Sequence, residues 1–429
     1  MSEKVTQKEE ISMKTKNPIV LIVLFSLGWA FMYADRNILS PVMSIIQTDW
    51  GLNKGELGLI STVFFIAYAF MQIPAGFLAD RFGRLKVLVI GYILFGIGTI
   101  LSGFAPSLMI FLLVRIITGL GEGMYYGPQY AISSSTISKK YRGISSALIN
   151  SGMAIGISLG FIASSYFTFT LKKDWQFSFF FFGILTVIVA ALIAFFIKDD
   201  YKPIKNSQAV SKNQRISIKA LFSKNHIITY ILIFCSLYGF FSMITWLPYY
   251  LQTERGIEGS KTGIISSLVP WAAIPGAILF GYLSDRIKNK KGIVICLALL
   301  GTACQFIVPY TENFSLMIAG LVIYGLIGKL ALDPVLIAYI ADNTHPSMYS
   351  RAYSIFNFAG MTSSIFAPYI TGYLADITGH IEIGFYLSGV LLLIGGIAFL
   401  FTDSPLKKTM ITPNDPTHPF QHSDKIAHS

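Results

Sequence analysis

The chain has 429 residues, of which 53% are hydrophobic and only 13% charged, with a mean hydropathy of +0.61. A soluble domain carries roughly 25% charged residues, so an ordinary soluble globular protein is excluded. The formal net charge of +11 is no argument for nucleic acid, because the basic residues follow the order of the apolar segments rather than forming a patch.

Residues 1–17 are hydrophilic, and no small-residue cleavage site follows the first apolar run, which therefore reads as a retained helix and not a signal peptide. Apolar windows of roughly 18–25 residues, each able to span about 30 Å of hydrocarbon, then recur along the whole chain. They lie near 19–43, 57–79, 87–104, 108–131, 143–168 and 177–197, and again near 226–251, 262–283, 292–309, 315–340, 352–374 and 382–402. About twelve transmembrane helices are expected. With both termini placed in the cytoplasm, the cytoplasmic segments hold about 25 of the Lys and Arg residues and the outer loops about 5, the bias of a polytopic membrane protein. Cys235, Cys296 and Cys304 all fall in predicted spans without CxxC spacing, so neither disulfides nor a metal site is expected, and no cofactor. The tail after residue 402 is short and polar.

The segment 198–225 is the longest internal polar stretch and carries seven Lys and Arg, which places it in the cytoplasm. It divides the chain into a tail (1–18), six helices (19–197), a linker (198–225), six more helices (226–402) and a second tail (403–429). Part of the linker, 216–222, has the pattern of a short amphipathic surface helix. The halves share a repeat: Gly76-Phe-Leu-Ala-Asp80-Arg81, Gly281-Tyr-Leu-Ser-Asp285-Arg286 and Gly372-Tyr-Leu-Ala-Asp376 each close a predicted helix. The longer run from Gly76 through Gly83-Arg84-Leu-Lys86 resembles the helix 2–3 loop signature of the major facilitator superfamily. That resemblance implies an all-α membrane fold of two six-helix pseudo-symmetric halves, with substrate bound between them near the midplane. It also makes Asp80, Arg81, Arg84 and Asp285 gating candidates; the bland alternative is that they only fix topology.

Charges inside the apolar runs demand a reason, since each costs roughly 2.5–3.5 kcal/mol near the centre of a membrane helix on insertion scales. Helix 1 carries Tyr33, Asp35, Arg36 and Asn37; helix 4 carries Arg115 and Glu122, with Gly119, Gly121 and Gly123 around the acid. Arg115 and Glu122, about two turns apart, share a face, whereas the adjacent Asp35 and Arg36 point about 100° apart and cannot readily pair with each other. One reading is a buried network that sets helix register. The functional reading makes Arg36, whose planar fork suits a carboxylate, the anchor for an anion. Asp35 and Glu122 are then proton carriers, because carboxylates in a low dielectric hold protons near neutral pH. Arg115 either biases Glu122 or shares the substrate.

The Tyr33, Asp35-Arg36 and Asn37 arrangement, with an arginine seven residues before Gly121-Glu122-Gly123, resembles the anion:cation symporter branch. That branch includes bacterial sugar-acid carriers and sialin-like transporters. Thr245-Trp246-Leu-Pro248-Tyr-Tyr-Leu251 in helix 7, and Asn357, Gly360 and Pro368 in helix 11, add to the likeness. It implies proton coupling at Asp35 and Glu122 and an anion at Arg36. Helix 10 departs from the pattern: Lys329 and Asp333 stand one turn apart, either an intrahelical ion pair or a second charged site. Weaker candidates for lining the cavity are Tyr33, Tyr126, Gln129, Asn150, Thr245, Trp271, Asn357 and Ser363, each as readily a helix–helix contact. Gly152, Gly156 and Gly160 read first as close helix packing and second as a sliding surface.

The expected function is a proton-coupled symporter that imports an organic monoanion, a sugar acid or related carboxylate, in the cell membrane, with a monomer sufficient for the cycle. Two protons per monoanion would carry one net positive charge inward. The alternatives are a proton-driven exporter of drugs or metabolites and a ligand-binding membrane receptor without transport. No nucleophile–base pair or metal-ligand cluster suggests an enzyme.

Overall fold

A computed structural model of the chain describes residues 18–138, 141–197, 199, 221–287, 289–344 and 348–403. Within them lie fifteen α-helices that line up as twelve spans. Three spans are broken into two helices each. Span 1 is α1 (Pro18–Ile38) and α2 (Met43–Trp50), span 4 is α5 (Leu108–Gly123) and α6 (Tyr126–Thr136), and span 10 is α12 (Phe314–Ile327) and α13 (Lys329–Asn343). The other N-terminal spans are α3 (Lys54–Phe82), α4 (Arg84–Gly103), α7 (Arg142–Ser165) and α8 (Gln176–Phe196). The C-terminal half adds α9 (Lys224–Thr253), α10 (Gly259–Arg286), α11 (Lys290–Tyr310), α14 (Tyr349–Thr378) and α15 (Glu382–Leu400). Eleven spans are long and apolar enough to cross a membrane on composition alone; α14 is as long, but mixes Asn357, Thr362, Ser363 and Ser364 into its apolar sequence.

The breaks have local causes. Pro41, which has no N–H to donate, sits in the short 3₁₀ turn Ser40–Val42 between α1 and α2. In span 4 the chain turns at Met124 and Tyr125, and Pro128 falls in the first turn of α6, where a missing N–H costs nothing. In span 10 Gly328 takes φ −73°, ψ −146°, outside the helical region, and α13 starts anew at Lys329. Span 1 therefore continues to Trp50, beyond the end expected from hydropathy, because the proline bends the rod without ending it. Of the expected surface helix at 216–222, only Leu221 and Phe222 are described, in a short 3₁₀ turn; the rest lies outside the described residues.

Span 1 is held tightly inside its half. A Cβ on Gly152, Gly156 or Gly160 would fall 2.2, 2.2 and 2.6 Å from the carbonyl oxygens of Ser26, Ala30 and Ala34. The glycine ladder of α7 is thus a groove in which the backbone of α1 lies, the packing reading of those residues. On its other side, Tyr92 and Tyr125 donate hydrogen bonds to the carbonyls of Gly28 and Phe25 at 2.6 and 3.0 Å. Gly119, Gly121 and Gly123 likewise bring span 4 against the backbones of α3 and α4, at Phe64, Phe95 and Tyr68. These three glycines serve helix approach rather than a ligand.

The two halves meet most closely at the end of the bundle that carries the α2–α3 loop. There Asp376 of α14 accepts from the backbone N–H groups of Lys54 and Gly55 at 2.8 and 2.7 Å, capping the start of α3. Lys54 Nζ answers by donating to the carbonyl of Gly379, past the end of α14, at 2.9 Å. Gln252 of α9 bonds Ser44 and the carbonyl of Pro41, and Tyr249 bonds Gln47. Deeper in, Thr62 donates to the Ile365 carbonyl at 2.7 Å, and the rings of Phe65 and Phe241 meet at 5.2 Å. At the opposite end Gly76, Asp80 and Arg81 are exposed, and a Cβ on Gly76 would meet nothing within 4 Å. The molecule is sealed on the α2–α3 side.

Candidate functional site

The four charges of spans 1 and 4 come together and pair crosswise. Arg36 Nε donates to Glu122 Oε2 at 2.7 Å, and Nη2 lies 2.7 Å from the same oxygen. Arg115 Nη1 donates to Asp35 Oδ2 at 2.9 Å, and Thr99 of α4 donates to Asp35 Oδ1 at 2.8 Å. Helical geometry permits the crossing. Asp35 and Arg36 diverge by about 100°, so each reaches a different residue of a partner whose charges are two turns apart.

The pairs differ in what surrounds them. Both are buried, with side-chain exposures of 3% and 0% for Arg115 and Asp35 and 5% and 0% for Arg36 and Glu122. The Arg115 guanidinium lies over the rings of Phe64, Phe111 and Phe179 at 5.3–5.9 Å. Arg36 stands in an aromatic box, 4.6 Å from the ring of Tyr68 and 4.7 Å from Tyr33, with Phe65 and Phe64 at 5.4 and 5.6 Å. Its Nη1 has no hydrogen-bond partner, and neither has Glu122 Oε1. Half of the guanidinium fork is therefore unused, in a setting where cation–π contact offsets part of its desolvation.

Other residues singled out in the sequence fall in different places. Tyr33 borders the Arg36 box. Gln129 is buried and committed, accepting from Trp29 Nε1 at 3.2 Å and donating to Ser133 at 2.8 Å. Tyr130, not Tyr126, holds Asn150, at 2.9 Å. Thr245 and Ser363 are buried, whereas Asn357 and Trp271 are exposed. Of these candidates, Tyr126, Gln129, Asn150, Thr245, Trp271, Asn357 and Ser363 do not join the charged cluster by a described contact. Lys329 and Asp333 form an ion pair at 2.7 Å within α13, and Asp342 pairs instead with Lys290. Arg81 covers Phe82 at 5.2 Å, and Arg84 is half-buried at the start of α4. The side chain of Asp285 lies outside the described residues. The three cysteines are free, and no group of metal-ligating side chains occurs among the described residues.

Several contributors escaped the sequence reading. Phe64, Phe65 and Tyr68 carry a pattern in α3 that places two rings one turn apart, but aromatics are common in membrane helices and their target was not visible. Thr99 gave no signal. Asp376 was legible as a repeat of the Asp80 motif, although not as a clasp on Lys54. Neither of the two cavities described, of about 390 and 350 Å³, touches Arg36; they lie at Phe306–Tyr386 and at Phe280–Cys296, on the outside of the C-terminal half.

The family model described as Major Facilitator Superfamily matches residues 25–266 and again 229–423. A probable sulfoacetate transporter of Cupriavidus necator is 27% identical, over 96% of this chain and 99% of its own length. The D-galactonate transporter of Escherichia coli is 25% identical, over 91% and 96%. Among solved structures, a bacterial homologue of the human lysosomal transporter Spinster, in an inward-facing and occupied conformation, superimposes with a TM-score of 0.74. It is 14% identical and covers 89% of this chain and 95% of its own.

Proposed function

The chain belongs to the major facilitator superfamily of membrane transporters, and we propose that it is a proton-coupled symporter that imports an organic anion, a sugar acid or related carboxylate. The observation that carries this reading is the half-used Arg36 fork held by Glu122 inside an aromatic box. A drug-cation pump would need acids free to face its ligand; here each acid is matched to an arginine. The relatives named for sulfoacetate and D-galactonate support the same class of cargo.

With the termini in the cytoplasm, the sealed face is the outer one and the form described faces inward. The cycle follows from competition at Arg36. In the outward-facing form a proton on Glu122 breaks the charge match to Arg36 and frees the guanidinium for the carboxylate of the substrate. A second proton can reside on Asp35, where Arg115 and Thr99 hold the site in place. The loaded cluster carries less uncompensated charge, which lowers the cost of closing an apolar cleft around it. The halves then rock. Asp376 and Lys54 engage across the outer face, and release inward lets Glu122 return to Arg36.

The test is reconstitution in proteoliposomes with uptake of D-galactonate, sulfoacetate and a panel of dicarboxylates under an inward proton gradient, beside Arg36→Ala. Gradient-driven accumulation of one acid, abolished in Arg36→Ala, is the expected result. Accumulation that Arg36→Ala leaves intact would refute the role of Arg36. Equal uptake at zero and negative-inside potential would refute a two-proton ratio for a monoanion.

A further inference from the structure

We propose that Lys329 is a second anion subsite, supplied by the C-terminal half opposite Arg36, and that the preferred substrate carries two anionic groups, one for each half. This rests on the anion-transport reading above and names its substrate class.

The order of charges in α13 is the first argument. Lys329 is the opening residue of the helix and Asp333 follows one turn later. A cation at a helix N-terminus opposes the helix dipole, and an i,i+4 ion pair is better with the acid first. A pair placed to stabilise α13 would be written in reverse. The second argument is access. Where Arg115 and Asp35 are sealed, Lys329 and Asp333 keep 14% and 22% of their side chains exposed, although they stand in the middle of span 10. Asp333 Oδ1 has no hydrogen-bond partner, so the acid is held by Lys329 through one oxygen.

Position is the third argument. Arg36 lies 5.4 Å from the ring of Phe65, which meets Phe241 of α9 across the boundary between halves at 5.2 Å. Phe241 contacts Phe240 at 5.7 Å, and Lys329 Nζ lies 5.8 Å from the Phe240 ring. Two cations, one from each half, thus stand at the two ends of one chain of neighbouring rings, Phe65, Phe241 and Phe240. Each is neutralised by an acid with one oxygen unpaired. A single small cargo with an anionic group at each end can relieve both, displacing Glu122 from Arg36 and Asp333 from Lys329. Binding to both halves at once is what a substrate needs if it is to draw them together.

The experiment measures calorimetric binding of D-galactonate and galactarate, the same carbon chain with one and two carboxylates. It uses purified full-length protein in nanodiscs. Wild type is expected to bind galactarate at least tenfold more tightly. Lys329→Gln is expected to collapse that ratio by at least tenfold, and Lys329→Arg to retain it. The double exchange Lys329→Asp with Asp333→Lys rebuilds the ion pair, and its unfolding temperature reports whether the fold survives. If the exchange also restores the dianion preference, the pair is a structural brace and the proposal is overturned. A wild-type preference for the monoanion overturns it as well. Binding that is lost in Arg36→Ala but keeps its galactarate preference in Lys329→Gln overturns this proposal alone. No binding of either acid, of sulfoacetate or of the dicarboxylate panel overturns the anion-transport reading and this inference with it.

Discussion

Replacing Glu122 by glutamine keeps the shape of the side chain and removes the charge proposed to compete with the substrate for Arg36. In the wild type the two groups meet at 2.7 Å with both side chains almost wholly buried. Two unit charges at about 4 Å and an effective dielectric near 20 attract by about 4 kcal/mol. The amide oxygen of glutamine keeps a hydrogen bond to Arg36 Nε, so only part of this is released to an incoming carboxylate. Taking a third to two thirds of it, about 1.4–2.7 kcal/mol, corresponds to roughly 10- to 100-fold tighter anion binding at pH 8. At acid pH, where the wild-type carboxyl takes up a proton, the two proteins converge. Binding of radiolabelled D-galactonate to purified protein between pH 5.5 and 8.5 measures both limbs. Counterflow in proteoliposomes is expected to persist in Glu122→Gln while gradient-driven accumulation disappears. Undiminished accumulation in Glu122→Gln would refute the assignment of the coupling proton. Equal affinity of the two proteins at pH 8 would refute the competition on which the mechanism rests.

Three further expectations concern the scaffold. Asp376→Asn removes a charged acceptor from two backbone donors, each such bond being worth about 1.5–3 kcal/mol. It is expected to open the α2–α3 face, read as at least tenfold faster maleimide labelling of a cysteine placed at Thr62. Unchanged labelling would show that the clasp is dispensable. Gly156→Ala puts a Cβ 2.2 Å from the Ala30 carbonyl, and a cost of about 1–3 kcal/mol should appear as a lowered unfolding temperature. Glu254, just past the end of α9, has its carboxyl pushed above the usual value by burial first, with Glu382 adding to it and Lys54 and the Ile381 N–H opposing. A raised folded-state pKa means that ionisation destabilises the fold as pH rises through it. Glu254→Gln is therefore expected to match the wild type in thermal stability below about pH 4.5, the ordinary glutamate value, and to exceed it increasingly at higher pH. A constant difference across pH would contradict this.

Hydropathy alone located the spans to within a few residues, because a stretch of about twenty apolar residues has few other fates. It missed the continuation of span 1 from its expected end at 43 to Trp50, which Pro41 bends without ending. The charged residues of the site were equally visible, since a buried charge in a membrane helix has no cheap explanation. Their pairing was legible in part: the seven-residue step in span 4 and the divergence of Asp35 from Arg36 allowed a crossed arrangement. What chose it over other pairings was the packing of α1 against α4, the α5–α6 turn and α7, long-range contacts through Tyr92, Tyr125 and Gly156 that no local pattern announces. The aromatic box was hidden for a different reason. Phe and Tyr are frequent enough throughout this chain, 34 and 22 residues, that a cluster of three in α3 could not be told from packing.

The glycines that open the three copies of the Gly-x-Leu-x-Asp repeat do not experience the same surroundings. A Cβ on Gly372 would strike the Lys54 carbonyl at 2.2 Å, one on Gly281 would graze Pro334 at 3.9 Å, and one on Gly76 would touch nothing. A methyl group at Gly76 is therefore silent in this form, and any penalty it carries belongs wholly to forms in which that end of the bundle closes. Such a residue works as a clock rather than a brace. Gly76→Ala should leave the melting curve of this form where it is and lengthen the interval between turnovers, so that the crowding of the opposite conformation becomes measurable as time.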